Sequence, residues 1–410
     1  MTTTQPVTTP AAPHLGVGDR FRLWWDALAR PAQWGIGVPF ILLIALLPVI
    51  RPPLITTVGT DFGGVMAQFG MYALLAIGLN VVVGQAGLLD LGYVGFYAIG
   101  AYTVGLITSP DSPWNLTDDW LPRAWGWVFA LPIAIAITAV SGLILGSPTL
   151  RLRGDYLAIV TLGFGEIVRL LADNLGTITG AGRGLSNIAY PEVGVSEDRP
   201  TGVFSGGNSA APFNSGLWWF WLSLVLIVIV LLVVGNLERS RVGRAWVAIR
   251  EDEDAAEIMG VPTFKFKLWA FLIGAAIGGL SGALYAGQVQ FVVPTSFNVI
   301  NSMLFLCAVI VGGQGNKLGV ILGAFIIVYL PNFFIGRTEL FGIPIDGNEI
   351  AKYKYLFFGL ALMVLMIFRP QGLFPARQKL LTYGRGMYQA ARRAALAATR
   401  PTGDAEGGAR

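Results

Sequence analysis

Leu217-Trp-Trp-Phe-Trp-Leu-Ser-Leu-Val-Leu-Ile-Val-Ile-Val-Leu-Leu-Val-Val-Gly235 contains no charged side chain and a single hydroxyl, Ser223. At about 1.5 Å of rise per residue, a helix of this length nearly matches a hydrocarbon core of about 30 Å. The run shows no strict alternation of apolar and polar residues, so it reads as a helix rather than a barrel strand. A helix satisfies its own backbone amides where lipid cannot. Comparable stretches recur at 34–50, 65–84, 88–108, 125–146, 155–175, 217–235, 268–289, 297–313, 318–334 and 353–368. The sequence therefore predicts an all-α, polytopic transmembrane bundle of ten spans. The last few are short, and a re-entrant turn at Gly312–Gly319 would help reduce the count to eight.

Composition points to the same class. Of 410 residues, 54% are hydrophobic, 53 are glycine and only 13% are charged. A soluble domain carries about 25% charge, so this chain lacks the polar groups to cover a soluble surface. Basic residues set the expected orientation. With both termini cytoplasmic, 20 of the 28 Lys and Arg fall on the inner side and seven on the outer, with Arg169 inside a span. Residues 1–33 then form a cytoplasmic tail with no cleavable leader. Within it, Asp19 caps a short interfacial helix bearing Phe21, Trp24, Trp25 and Leu28. Residues 34–368 form the membrane domain, with an outer loop at 176–216 and a charged inner loop at 236–267. Residues 369–410 form a basic cytoplasmic tail, for which attraction to anionic lipid is explanation enough. His14 and Cys307 are the only residues of their kinds, and no metal-ligand spacing occurs. No bound metal, cofactor or nucleic acid is expected.

The inner loop from Glu238 to Gly260 is the most informative soluble segment. On a helix, Val242, Ala245, Trp246, Ile249, Ala256 and Met259 form a broken apolar stripe. Arg244, Arg250, Glu251, Asp254 and Glu257 surround it, and Gly260 with Pro262 marks the exit. Such a helix could dock in a groove of a cytoplasmic partner. It could equally lie on the bilayer or pack against its own neighbours.

The stretch Gly243-Arg-Ala-Trp through Ile249-Arg-Glu-Asp-Glu-Asp-Ala-Ala to Gly260 resembles the coupling loop of ABC importer permeases of the branched-chain amino acid group. The segments Gly78–Tyr102, Leu150–Arg169, Val311–Gly315 and Phe368–Phe374 resemble the same family, in its order and spacing, nearest to its M-type permease. The resemblance implies a second homologous permease, two ATPase subunits and an extracytoplasmic binding protein. It implies that Arg244, Trp246, Ile249, Arg250, Glu251, Asp254, Ala255, Ala256 and Gly260 couple the chain to the ATPases. ATP and Mg would then be used by those partners. In keeping with this, the chain has no P-loop, and Gly312-Gly-Gln-Gly-Asn-Lys317 has the wrong spacing for one. At Thr179-Gly-Ala-Gly-Arg-Gly184 the outer loop departs from the family's Asn/Pro-containing turn.

Ionisable groups within the bilayer are costly and so are candidates for function. Asp90 could line a polar path with Gln85, Tyr93, Tyr97 and Gln314, or be an interfacial residue near a helix N-terminus. Glu166 and Arg169, three residues apart, can pair, and they either fix packing or take part in passage. Asp155 is expected to cap its span. Gly274, Gly278, Gly279 and Gly282 predict a close helix contact. The expected function is ATP-driven import of leucine, isoleucine and valine by alternating access. The alternatives are a urea or short-amide permease of the same type and an ion-coupled secondary amino acid transporter.

Overall fold

The computed structural model describes residues 30–52, 56–57, 59–117, 122–152, 154–195, 202–205, 215–340, 343–344, 346–368 and 372–374. The interfacial helix expected around Asp19 and the basic C-terminal tail lie outside these residues. Two compact units divide the chain, one of residues 45–375 and one of residues 1–44 with 376–410. In the second unit only 30–44, the first part of helix α1 (Arg30–Ile50), is described. All that follows concerns the larger unit.

Its helices run in sequence as α2 (Phe62–Leu79), α3 (Val94–Thr108), α4 (Arg123–Thr149), α5 (Asp155–Asn174) and the short α6 (Gly176–Thr179). They continue as α7 (Ser215–Arg239), α8 (Arg241–Glu251), α9 (Glu253–Ile258), α10 (Thr263–Val289) and α11 (Val299–Gly312). The last three are α12 (Lys317–Phe334), α13 (Gly347–Lys352) and α14 (Lys354–Phe368). A π-helical turn, Asn80–Gln85, extends α2. Short β pairs are the only described strands: β1 (Leu185–Ser186) with β2 (Phe291–Val292), and β3 (Glu339–Leu340) with β4 (Ile343–Pro344). The described residues are thus mainly helical, and among them five helices are long and apolar enough to cross a membrane: Phe62–Gln85, α4, α7, α10 and α12. Four shorter apolar helices are Ile41–Ile50, α3, α11 and α14. Helix α5 has 20 residues but carries Asp155, Glu166, Arg169 and Asp173.

Side-chain caps fix several starts. Asp61 accepts from the Gly64 amide at 2.7 Å to open α2, and Asn298 accepts from Asn301 at 3.0 Å to open α11. Helix α5 starts differently from the sequence expectation. Gly154, at φ +59°, precedes it, and Asp155 makes no capping bond but supplies a first-turn negative charge. The stretch expected to begin a span at 88 is helical only from Val94, because Gly87 at φ +75° turns the chain out of the π-helix.

Helix α10 lies at the centre, packed on α2, α3 and α4. The expected glycine face makes this possible. Gly100 of α3 meets the Gly279 carbonyl with no room for a Cβ, and Gly282 meets the Tyr97 carbonyl and Ala101 amide in the same way. Gly274 faces Val82 and the Gly78 carbonyl. Polar groups seal the contacts, with Trp127 Nε1 donating to the Ala283 carbonyl at 2.9 Å and Ser281 Oγ to the Met71 carbonyl at 2.9 Å. Helices α11 and α12 form a tight antiparallel hairpin, in which Gly312 meets Gly319 and Gly323 meets the Ala308 carbonyl. Gly313 and Gly315, at φ +110° and +82°, make its turn, so the break at Gly312–Gly319 joins two packed helices.

The two ends of the bundle differ. One gathers the turn after Gln85, the α8–α9 pair, the α11–α12 turn and residues 372–374, with Leu373 donating to Val311 at 3.0 Å and Phe374 to Gly312 at 3.2 Å. At the other, the loop after α3 is tied to the β1 strand. Ser186 donates to Asp111 Oδ2 from its amide at 3.1 Å and from its hydroxyl at 2.5 Å. These bonds hold the Asp111 carboxyl below the ordinary carboxylate range.

Gly100→Val should push α3 from α10 and destabilise the protein by about 1–3 kcal/mol, the range for overpacking a close contact. Gly163→Ala, inside α5 where a Cβ would meet nothing within 4 Å, should raise stability by up to about 1 kcal/mol. Thermal unfolding of the two variants in detergent checks both, and equal melting temperatures would contradict the packing account.

Candidate functional site

The sequence expectation of one helix over the inner loop becomes two helices. Asp252, at φ −157° and ψ 109°, ends α8 and caps α9 by accepting from the Ala255 amide at 2.9 Å. Ser240 caps α8 by accepting from Val242 at 3.1 Å. The apolar stripe mostly turns inward. Trp246 is fully buried and donates Nε1 to the Phe266 carbonyl at 2.7 Å, and Ala245, Ile249 and Ala256 are buried with it. Lys267 is buried as well, with Nζ 2.5 Å from Glu253 Oε2, so its charge is paired. Packing against the chain's own neighbours thus takes up Trp246, Ile249 and Ala256. Arg244, Glu251, Asp254, Ala255 and Gly260 remain exposed. Beside them Ile258 and Met259 are 85% and 82% exposed, an apolar knob among acidic groups.

This helix pair is fastened to the π-helical turn. Arg250 Nη1 donates to the Gly84 carbonyl, and its aliphatic stem lies against Gly87. Burial pulls its pKa below the ordinary arginine value, while Glu251 opposes the shift. An arginine keeps its charge under such pressure, so the contact is a charged donor at the negative end of a helix. Glu238, at the end of α7, accepts from Gln85 Nε2 at 2.5 Å and from Lys317 Nζ at 2.6 Å. Asn80 Oδ1 accepts from the Gly315 amide at 2.8 Å. One end of the bundle is therefore a node joining α2, α7, α8 and the α11–α12 turn, with half-buried Gln314 in that turn.

From this node, residues 86–93 run without helical structure to α3. Asp90 lies here, 1% exposed and four residues ahead of α3, whose N-terminus was one of the two settings the sequence offered for it. Its Oδ1 accepts from the Gly92 amide at 2.9 Å, and its Oδ2 has no partner among the described residues. Leu91 donates its amide to Thr161 Oγ1 at 3.1 Å and accepts from Ser302 Oγ at 2.5 Å. Gly92 is pressed on the Thr161 carbonyl of α5. Tyr93 is fully buried and donates its hydroxyl to the Gly274 carbonyl at 2.7 Å. Tyr97 packs edge-on against Phe297 and Phe305. The two tyrosines belong to the packed core, and Gln85 to the node. Away from both, Glu166 and Arg169 pair on α5, with Arg169 Nε 3.0 and 3.1 Å from the two carboxylate oxygens. Both side chains remain partly exposed.

Sequence reasoning missed Glu238, Lys317 and Asn80, because nothing local links a residue at the end of one span to turns far along the chain. The stretches Val83-Gly-Gln-Ala-Gly87 and Val311-Gly-Gly-Gln-Gly315 are alike, and they meet where Gly84 lies against the Gly315 amide.

Apolar helices and an amphipathic helix pair locked to one end of the bundle describe a multi-pass membrane protein. Residues 62–367 match the family described as the branched-chain amino acid transport system permease component. The high-affinity branched-chain amino acid transport system permease protein LivM of Salmonella typhimurium is 40% identical over 82% of this chain and 74% of its own length. LivM of Escherichia coli is 39% identical over the same shares. LivH of Salmonella typhimurium, another permease protein of such a system, is 26% identical over 62% of this chain and 79% of its own length. No solved structure matches. The chain belongs to the branched-chain amino acid transport permease family.

A double-mutant cycle tests the node. Glu238→Ala and Lys317→Ala should each lower stability by about 1.5–3 kcal/mol, the range for hydrogen bonds to charged groups. The double variant should lose less than the sum, since the two act on one contact. Strict additivity in thermal unfolding would show that the pair contributes nothing.

Proposed function

We propose that this chain is one of two permease subunits of an ATP-driven importer of leucine, isoleucine and valine in a bacterial-type cytoplasmic membrane. Both termini and the α8–α9 end face the cytoplasm, as the distribution of basic residues supports. Two ATPase subunits use ATP and Mg there, a second homologous permease completes the membrane body, and an extracytoplasmic binding protein delivers the ligand at the opposite end. The similarity to both LivM and LivH supports a system with two permeases.

The observation that carries this reading is the exposed Ile258–Met259 knob on a helix pair clamped to the membrane core. An apolar knob with 85% and 82% of its surface open is costly in water and suited to a groove in a cytoplasmic partner. Around it Glu251, Asp254 and Glu257 favour a groove with basic walls. Motion of the bound ATPase would reach the π-helical turn through Arg250 and Gly84, and through Glu238 and Gln85. Trp246, Ile249 and Ala256 take part by holding the pair rigid, while Arg244, Ala255 and Gly260 border the contact. Alternating access then follows if residues 86–93 shift with the node.

Ile258→Asp with Met259→Asp should leave membrane insertion intact and reduce ATP-driven leucine uptake at least about tenfold, the effect of about 1.4 kcal/mol lost at a contact. Trp246→Ala should instead lower stability by about 3–5 kcal/mol by emptying a buried site. Uptake by the Ile258/Met259 variant at the parent rate would overturn the docking role. Parent uptake that survives ATP depletion and collapses with a protonophore would favour an ion-coupled carrier using Asp90.

A further inference from the structure

Helix α5 carries its charges on one side. Asp155, Leu162, Glu166, Arg169 and Asp173 follow at intervals that, at 3.6 residues per turn, keep them within a sector of about 60°. On one flank Leu157, Thr161, Gly165 and Ala172 are buried against α3, α4, α11 and the turn at Pro294–Phe297. On the other flank Val160, Ile167 and Leu171 are exposed. The helix therefore has a packed face, an apolar open face and a charged stripe between them. It packs beside α3 and continues toward the turns at Ala181–Arg183 and Pro294–Phe297, so the stripe follows the length of the helix.

Lipid accepts the apolar flank, but ionised groups halfway down a membrane helix are costly there. Glu166 and Arg169 lie past the midpoint of α5, and their side chains are 34% and 23% exposed. Gly163, a turn before Glu166, faces open space. The stripe needs a polar neighbour, and no described element of this chain covers it.

We propose that the stripe lines the translocation path, closed by the second permease, and that the Glu166–Arg169 pair is a transit site for the amino-acid zwitterion. This rests on the amino acid import proposed above and adds the chemistry of the path. The ligand's ammonium takes Arg169's place on Glu166, and its carboxylate takes Glu166's place on Arg169. One ion pair becomes two, while the ligand gives up the water around its own charged groups. The opposing costs keep binding weak, which suits passage better than retention. The aliphatic side chain lies along Leu162, one turn back on the same stripe. Amides without charge, such as urea, gain nothing from this exchange, so the site favours amino acids.

The test uses the complete transporter in vesicles, with binding protein, leucine and ATP, in a Cys307→Ser background. Leu162→Cys and Asp173→Cys should react with a charged, membrane-impermeant methanethiosulfonate, and Val160→Cys and Leu171→Cys should not. Glu166→Gln combined with Arg169→Gln removes both members of the pair together. That double variant should assemble and keep its binding-protein-stimulated ATP hydrolysis, while leucine imported per ATP falls about tenfold or more. Equal labelling of both faces, failure of the double variant to assemble, or unchanged leucine per ATP would overturn the proposal in favour of a structural pair. A parent complex that imports no leucine would instead defeat the importer reading, and the labelling pattern would still decide whether the stripe is wet.

Discussion

The carbonyl of Gly84 has no helical donor, because the chain leaves its π-helical turn at Gly87, and the Arg250 guanidinium fills that gap. The rest of the arrangement depends on this contact. A helix end without donors carries several open carbonyls, and water or a side chain must satisfy them. Here the donor comes from the α8–α9 pair, so a local demand of the backbone ties a peripheral helix to the core. Glu238 strengthens the tie by holding Gln85 and Lys317 together. Motion of α8 cannot leave the π-helical turn behind without breaking charged hydrogen bonds.

That coupling is useful only if the core is stiff on one side and yielding on another. Stiffness comes from glycine. Contacts of Gly100 with Gly279, and of Gly282 with Tyr97 and Ala101, bring α3 and α10 to backbone contact. In lipid, where apolar burial gives little drive between helices, close packing is the main attraction available. The yielding part is residues 86–93, which lie outside any helix and are held by side chains such as Thr161 and Ser302. Non-helical backbone at such depth is tolerated where protein surrounds it.

Much of this was legible in the sequence. Uncharged runs such as Leu217–Gly235 gave the helices directly, and the small residues on α10 gave its packing face. The inner loop was recognised, but it was read as a single helix carrying a broken apolar stripe. Periodicity cannot show that Asp252 will cap a second helix, or that Trp246 will find the Phe266 carbonyl. Those outcomes depend on where α10 begins. The Glu166–Arg169 pair was foreseen because residues three apart on a helix meet whatever the tertiary structure. Glu238 was not, since its partners are distant in sequence and only the assembled bundle brings them near.

The account stands on the exposed face of α8 and α9 being a docking surface for an ATPase, within an assembly of two permeases. Purifying the chain from its native membrane in mild detergent, and identifying by mass spectrometry every protein retained, tests this directly. The account predicts two ATPase subunits and a second homologous permease in the same complex. A chain recovered alone, or paired only with itself, would contradict it.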